Sequence, residues 1–116
     1  MEHTPIQQVN THVVTIYMAG DIDTAKRWLR RECYERGLCV TVYSTDFIYT
    51  GGEEIGFCVG FVNYPRFPST TEDLFARARQ VACSLIVECC QRSALIVGTH
   101  STEWISGTPP GARAAP

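Results

Sequence analysis

The chain has 116 residues, 45% apolar and 19% charged, with 12 acidic and 10 basic side chains and a net charge of −2. That length suits one domain with a core of its own, which needs no disulfide or metal staple. The near-neutral balance excludes a general attraction to nucleic acid or to anionic membranes, so either would need a local patch.

Residues 1–11 (MEHTPIQQVNT) are polar and read as a flexible N-terminus, without the apolar stretch of a secretory leader. Residues 12–19 (HVVTIYMA) alternate, with Val14, Ile16 and Met18 on one side and Val13, Thr15 and Tyr17 on the other. This is the period of a strand, and Gly20 ends it. Asp21 is placed to cap a helix, because its carboxylate can accept from a free backbone N–H. The helix runs to about Arg36, and Gly37 suits the left-handed position beyond its end. Ile22, Ala25, Leu29 and Cys33 form its apolar stripe, while Lys26, Arg27, Arg30 and Arg31 point elsewhere.

Residues 38–49 are strand-like, with a bulge or bend expected at Ser44-Thr45-Asp46, where alternation weakens. Residues 50–53 (TGGE) are a turn signal, and residues 55–62 supply the partner strand of a hairpin. There Ile55, Phe57, Val59 and Phe61 alternate with Gly56, Cys58 and Gly60. Residues 63–68 (NYPRFP) form a loop, since two prolines remove donors. Ser69 to Glu72 reads as a capping box for a second helix that runs to roughly Cys90. Residues 93–97 are a buried strand, residues 102–105 a short edge strand, and residues 107–116 (GTPPGARAAP) a disordered tail.

The order β-α-β-β-α-β is the ferredoxin-like pattern. It predicts an α+β sandwich, residues 12–106, with two helices on one face of an antiparallel four-stranded sheet and room for an extra C-terminal edge strand. The uncovered face then presents Thr15, Tyr17, Thr41, Tyr43, Gly56, Cys58 and Gly60. A half-solvated or subunit-facing surface is its default reading; a binding platform built on Tyr17, Tyr43 and Tyr49 is the sharper one. Phe47, Ile48 and Tyr49 near the hairpin tip predict exposed apolar surface, and with it a homodimer. Asn63, Tyr64 and Arg66, beside the free N–H groups of the second helix, form a candidate site for a small anion or nucleotide phosphate.

No phosphate loop, metal spacing or nucleophile pair stands out, so no catalytic residue, metal or cofactor is expected. Cys33, Cys39, Cys58, Cys83, Cys89 and Cys90 lie largely in periodic segments and are expected as reduced thiols. Glu53 and Glu54 alternate in direction along a strand and read as solvated charge at the hairpin.

The segments HVVTIYMAGDIDTAKRW and FIYTGGEEIGFCVGFVNYPRFPST resemble short uncharacterised proteins of phages and prophages. The resemblance implies a cytoplasmic protein of a bacterial host cell, in a class that includes host-takeover and anti-defence factors. The expectation is a non-enzymatic binding or regulatory protein acting on a host protein partner. The alternatives are a nucleotide- or anion-sequestering protein using the Asn63–Arg66 loop, and an enzyme of unknown type.

Overall fold

The computed structural model describes residues 5–106; the expected C-terminal tail and residues 1–4 lie outside them. In chain order the elements are β1 (Val13–Ala19), α1 (Ile22–Arg36), β2 (Thr41–Tyr49), β3 (Gly52–Val62), α2 (Thr71–Glu88), β4 (Ser93–Val97) and β5 (Thr102–Ser106). The strands form one sheet in the order β2-β3-β1-β4-β5, and every neighbouring pair is antiparallel. The protein is thus an α+β fold whose sheet has five strands, not four. The fifth is a full member: β5 pairs with β4 from Ser93↔Ser106 to Val97↔Thr102, and Ile105 packs against the core. A tight turn joins the two, with Gly98 N–H donating to the Ser101 carbonyl at 2.8 Å.

Both helices lie on one face. Asp21 caps α1 by accepting from Thr24 N–H at 3.1 Å, and Gly37 ends it in the left-handed conformation at φ 71°. For α2 the cap is Thr70, which accepts from Asp73 N–H at 3.1 Å, so the expected box starting at Ser69 moves by one residue. The physical reason is that Ser69 N–H is already donated to the Asn63 side chain at 2.6 Å, inside the preceding loop. No bulge interrupts β2, which pairs residue for residue with β3 from Thr41↔Gly60 to Tyr49↔Gly52. The polar residues Ser44 and Asp46 fall on the outer edge strand, where water accepts them and no kink is needed.

The core lies between sheet and helices. Val14, Ile16, Phe57, Val59, Ala94 and Ile96 are essentially inaccessible, and Ala25, Leu29, Phe75, Ala78, Ala82 and Leu85 close over them. Each large side chain buried this way contributes about 1.5–3 kcal/mol. Pairing of β1 with β3 stops at Ala19↔Gly56, whereas β2 and β3 stay paired as far as Tyr49↔Gly52. The hairpin therefore leaves the sheet as a two-stranded arm, with Ile48 80% and Ile55 72% exposed.

Candidate active-site cleft

Strand register places chemistry on the uncovered face. Tyr43 and Tyr17 both pair with Cys58, Tyr17 pairs with Leu95, and Leu95 with Trp104. One row thus crosses all five strands as Tyr43, Cys58, Tyr17, Leu95 and Trp104. Toward the arm the next row is Thr45, Gly56 and Ala19, and beyond it come Phe47 with Glu54 and Tyr49 with Gly52. Small residues at Gly52, Gly56 and Ala19 lower the floor between aromatic walls.

The C-terminal turn of α2 supplies the remaining wall. Gln91 N–H reaches back to the Ile86 carbonyl at 2.8 Å and Cys90 N–H to that of Val87 at 3.2 Å, with Cys90 in the left-handed region at φ 55°. That reversal carries residues 90–93 around the helix end to the base of the arm. Gly20, at φ 135°, lies close by: a Cβ there would come 3.3 Å from that of Cys89. The result is a cleft of ≈ 550 Å³, in the range of small-ligand sites. Tyr17, Phe47, Tyr49, Leu95 and Trp104 form its apolar lining, Glu54 and Arg92 its charged groups, and Gln91 and Ser93 add polar ones.

The thiol and phenol at the centre of the row are quiet. Burial pushes the Cys58 thiol up, and the hydrogen bond with Cys58 followed by desolvation pushes the Tyr43 hydroxyl up. Both stay protonated near neutrality, so neither is an activated nucleophile or base.

Of the residues singled out from the sequence, Tyr17 and Tyr49 line this cleft, and Tyr43 shares the row with Tyr17. Asn63, Tyr64 and Arg66 lie at the far end of β3. Asn63 is only 8% exposed, and its side-chain amide donates to the Asn10 carbonyl at 2.7 Å and accepts from Ser69 N–H at 2.6 Å. These two bonds close the loop on residues 10 and 69. Tyr64 accepts from the Cys39 thiol at 3.5 Å and stacks edge-on with Phe67 at 6.4 Å, and Arg66 lies 5.8 Å from that ring. Tyr64 and Arg66 border a separate depression with Pro5 and Gln7.

Sequence reasoning missed Glu54, Arg92 and Trp104 as site residues. Trp104 alternates with Glu103 and Ile105 and could have been placed on the open face. Glu54 and Arg92 line the same cleft because the strand register brings their two turns to one end of the sheet.

A second cleft, ≈ 600 Å³, opens at the opposite end beside His12, Thr71, Phe75, Arg79, His100 and Glu103. Four of its groups form two pairs: Arg79 donates twice to Glu103, at 2.7 and 2.6 Å, and the His12 ring is 2.7 Å from the Thr71 hydroxyl; Glu72 and His100 also line it. The first cleft keeps its carboxylate and its guanidinium outside the described ion pairs and has the more aromatic lining.

No helix among the described residues is long and apolar enough to cross a membrane. No family model and no curated protein matches the chain. Two solved structures do. A phage SAM lyase in complex with S-methyl-5′-thioadenosine aligns with a TM-score of 0.69 at 10% identity, over 90% of this chain and 96% of its own. A phage SAM lyase in its apo state aligns with a TM-score of 0.69 at 11% identity, over 89% and 96%. At such identity the likeness is one of fold, and it agrees with the phage resemblance read from the sequence. It overturns the expectation of a non-enzymatic binding or sequestering protein, because the fold this chain shares over nine-tenths of its length is that of an enzyme.

Proposed function

We propose that the chain is a lyase that cleaves S-adenosylmethionine at the cleft between the hairpin arm and the start of β4. The observation that carries this reading is the lining of that cleft: aromatic rings from Tyr17, Phe47, Tyr49 and Trp104 beside one carboxylate, Glu54, and one guanidinium, Arg92. The fold likeness to a SAM lyase supports it. The β2-β3-β1-β4 part of the sheet has the ferredoxin-like order, with β5 added at the edge to bring Trp104 to the site.

The lining suits the substrate. A sulfonium ion is attracted to aromatic faces and to a carboxylate. An adenine ring stacks on tyrosine or tryptophan. The cleft's two charged groups, Glu54 and Arg92, suit the two ends of the amino-acid arm, the carboxylate of Glu54 its ammonium and the guanidinium of Arg92 its carboxylate.

The reaction is balanced within one molecule. S-methyl-5′-thioadenosine keeps the methyl and adenosyl groups, so the bond that breaks joins sulfur to the γ-carbon of the amino-acid arm. Its electron pair goes to sulfur, which leaves as a neutral thioether. The arm's own carboxylate oxygen takes the γ-carbon, closing a five-membered lactone that keeps the ammonium charge. No water, proton transfer or cofactor enters. The protein's task is to hold the arm folded in an attacking geometry, with aromatic walls limiting access by water. Loss of S-adenosylmethionine would deprive methyl-dependent host defences, in line with the anti-defence class implied by the phage resemblance.

The test is incubation of the purified chain with S-adenosylmethionine and chromatographic detection of S-methyl-5′-thioadenosine. The expected result is product formation well above the spontaneous rate, reduced in Trp104→Ala. Product no faster than in buffer, from a folded sample, removes the proposal.

A further inference from the structure

We infer that the outer stripe of α1, continued by the loop before α2, binds single-stranded nucleic acid. Arg27, Arg30, Arg31 and Tyr34 follow the i, i+3, i+4, i+7 spacing of one helical stripe. The stripe lies opposite Ala25 and Leu29, the residues that α1 buries, so it faces away from the sheet. All four side chains are exposed among the described residues, Tyr34 at 90%. Where α1 ends the patch goes on. Leu38 and Cys39 share a shallow hollow with Phe67 and Arg77, and the Arg66 guanidinium lies 5.8 Å from the Phe67 ring. Phe67 is itself 61% exposed. The net charge of −2 therefore conceals an uneven distribution, because five of the ten basic side chains fall on this one stretch of surface.

Among the described residues no ion pair engages these five guanidinium groups. Arg27 makes a 3.3 Å bond to the Thr24 hydroxyl. Carboxylates compete only in part. Glu32 is held by Arg36 at 3.0 Å, Asp23 stands one turn before the stripe, and Glu35 and Asp73 flank it, so positive charge stays in surplus. Arginine grips phosphate oxygens through parallel N–H donors. Tyr34 and Phe67 add exposed rings on which bases can stack. Those rings select the kind of polyanion. An acidic peptide would use the arginines and leave the rings idle, and a duplex hides the faces of its bases; a single strand engages both features. The patch lies on the helix-covered side of the sheet and the candidate cleft on the other, so the inference does not rest on the lyase reading.

Titration of the full chain into a labelled single-stranded oligodeoxynucleotide, followed by fluorescence anisotropy, tests the surface. Saturable binding is expected, weakening about 20- to 130-fold between roughly 0.05 and 0.2 M salt as about three to five phosphates give up their counterions. Arg31→Glu and Arg92→Glu change the net charge equally, and only the first is expected to weaken binding, by about tenfold or more. Phe67→Ala is expected to weaken it about 5- to 150-fold with the salt dependence unchanged, because it removes stacking and no charge. Circular dichroism establishes that each variant is folded. Should Arg31→Glu misfold, Arg30→Gln with Arg31→Gln takes its place and is expected to weaken binding and flatten its salt dependence. No binding by the wild type at low salt overturns the inference, as does an equal loss in Arg31→Glu and Arg92→Glu. So does a duplex bound more tightly than the single strand, or polyglutamate that displaces the probe as well as unlabelled oligonucleotide does. None of these readouts depends on catalysis at the cleft.

Discussion

Gly56→Ala places a methyl group where β1 and the arm come closest. A Cβ at this position would collide with the Met18 carbonyl oxygen and with the Phe47 ring, and would lie 3.0 Å from the Ala19 Cα. Two of these three neighbours are backbone atoms of the central strand β1, so they cannot rotate away; the strands must separate or the ring must move. Overpacking of this kind costs about 1–3 kcal/mol, which at roughly 4–8 °C per kcal/mol lowers Tm by somewhere between about 4 and 24 °C. Phe47 also lines the cleft, so its displacement raises KM for S-adenosylmethionine as well. Gly60→Ala is the control. There the new methyl would press on the Thr41 hydroxyl, an exposed side chain on the edge strand that can turn into solvent. Its cost is about 0.5 kcal/mol or less. Thermal melts followed by circular dichroism, paired with the cleavage assay, compare the two. Equal Tm values for the two variants would refute the packing argument.

Three further outcomes are expected. Glu54→Gln removes the cleft's carboxylate; a partly exposed charge contact worth about 0.5–1 kcal/mol raises KM roughly two- to fivefold, and kcat holds within about a factor of two if Glu54 binds the ammonium, whose charge does not change in the reaction. Trp104→Ala deletes a stacking surface worth about 1–3 kcal/mol, raising KM about five- to 150-fold, while Tm hardly moves because the side chain is 66% exposed. Asp21 is held below the usual carboxylate range by the side-chain and then the backbone bond of Thr24, so its stabilisation is present above the ordinary value, about 4, and is lost as pH falls through the lower folded value. Asp21→Asn keeps the acceptor at the cap and is expected to match the wild type at neutral pH while showing a smaller loss of Tm on acidification.

The helices were legible because their signals are local. The stripe of α2 appears at Phe75, Ala78, Ala82 and Leu85 through spacing alone, and the cap at Asp21 through one short side chain. The one-residue shift from Ser69 to Thr70 has a longer-range cause: Ser69 N–H is taken by Asn63, six residues earlier. Alternation likewise assigned Tyr17, Tyr43 and Phe57 to their faces. It could not show which residues become neighbours across strands, and the cleft consists of such neighbours. Glu54 faces Phe47 by hairpin register, and Leu95 joins Tyr17 across a separation of 78 positions. Asn63 shows the converse. A polar residue in a proline-rich loop looks available, yet its burial and two hydrogen bonds make it a structural clamp.

The want of a catalytic motif also has a chemical explanation under the proposed reaction. Motifs record residues that must attack, or give and take protons, at fixed spacing. A sulfonium departs as a neutral thioether and needs no acid, and a carboxylate already on the substrate needs no base. What remains for the protein is to supply shape and a tolerant field, and those arise from side chains on different strands with no sequence spacing in common. The Glu54 carboxylate illustrates the limit on such a field: placed too near the sulfur it would stabilise the cation more than the transition state, in which that charge is fading. A site of this kind gains most from aromatic walls, which hold the cation weakly and the adenine firmly. Under the proposed reaction, Tyr17, Tyr49 and Trp104 would provide that balance, with Glu54 and Arg92 as the charged groups beside them.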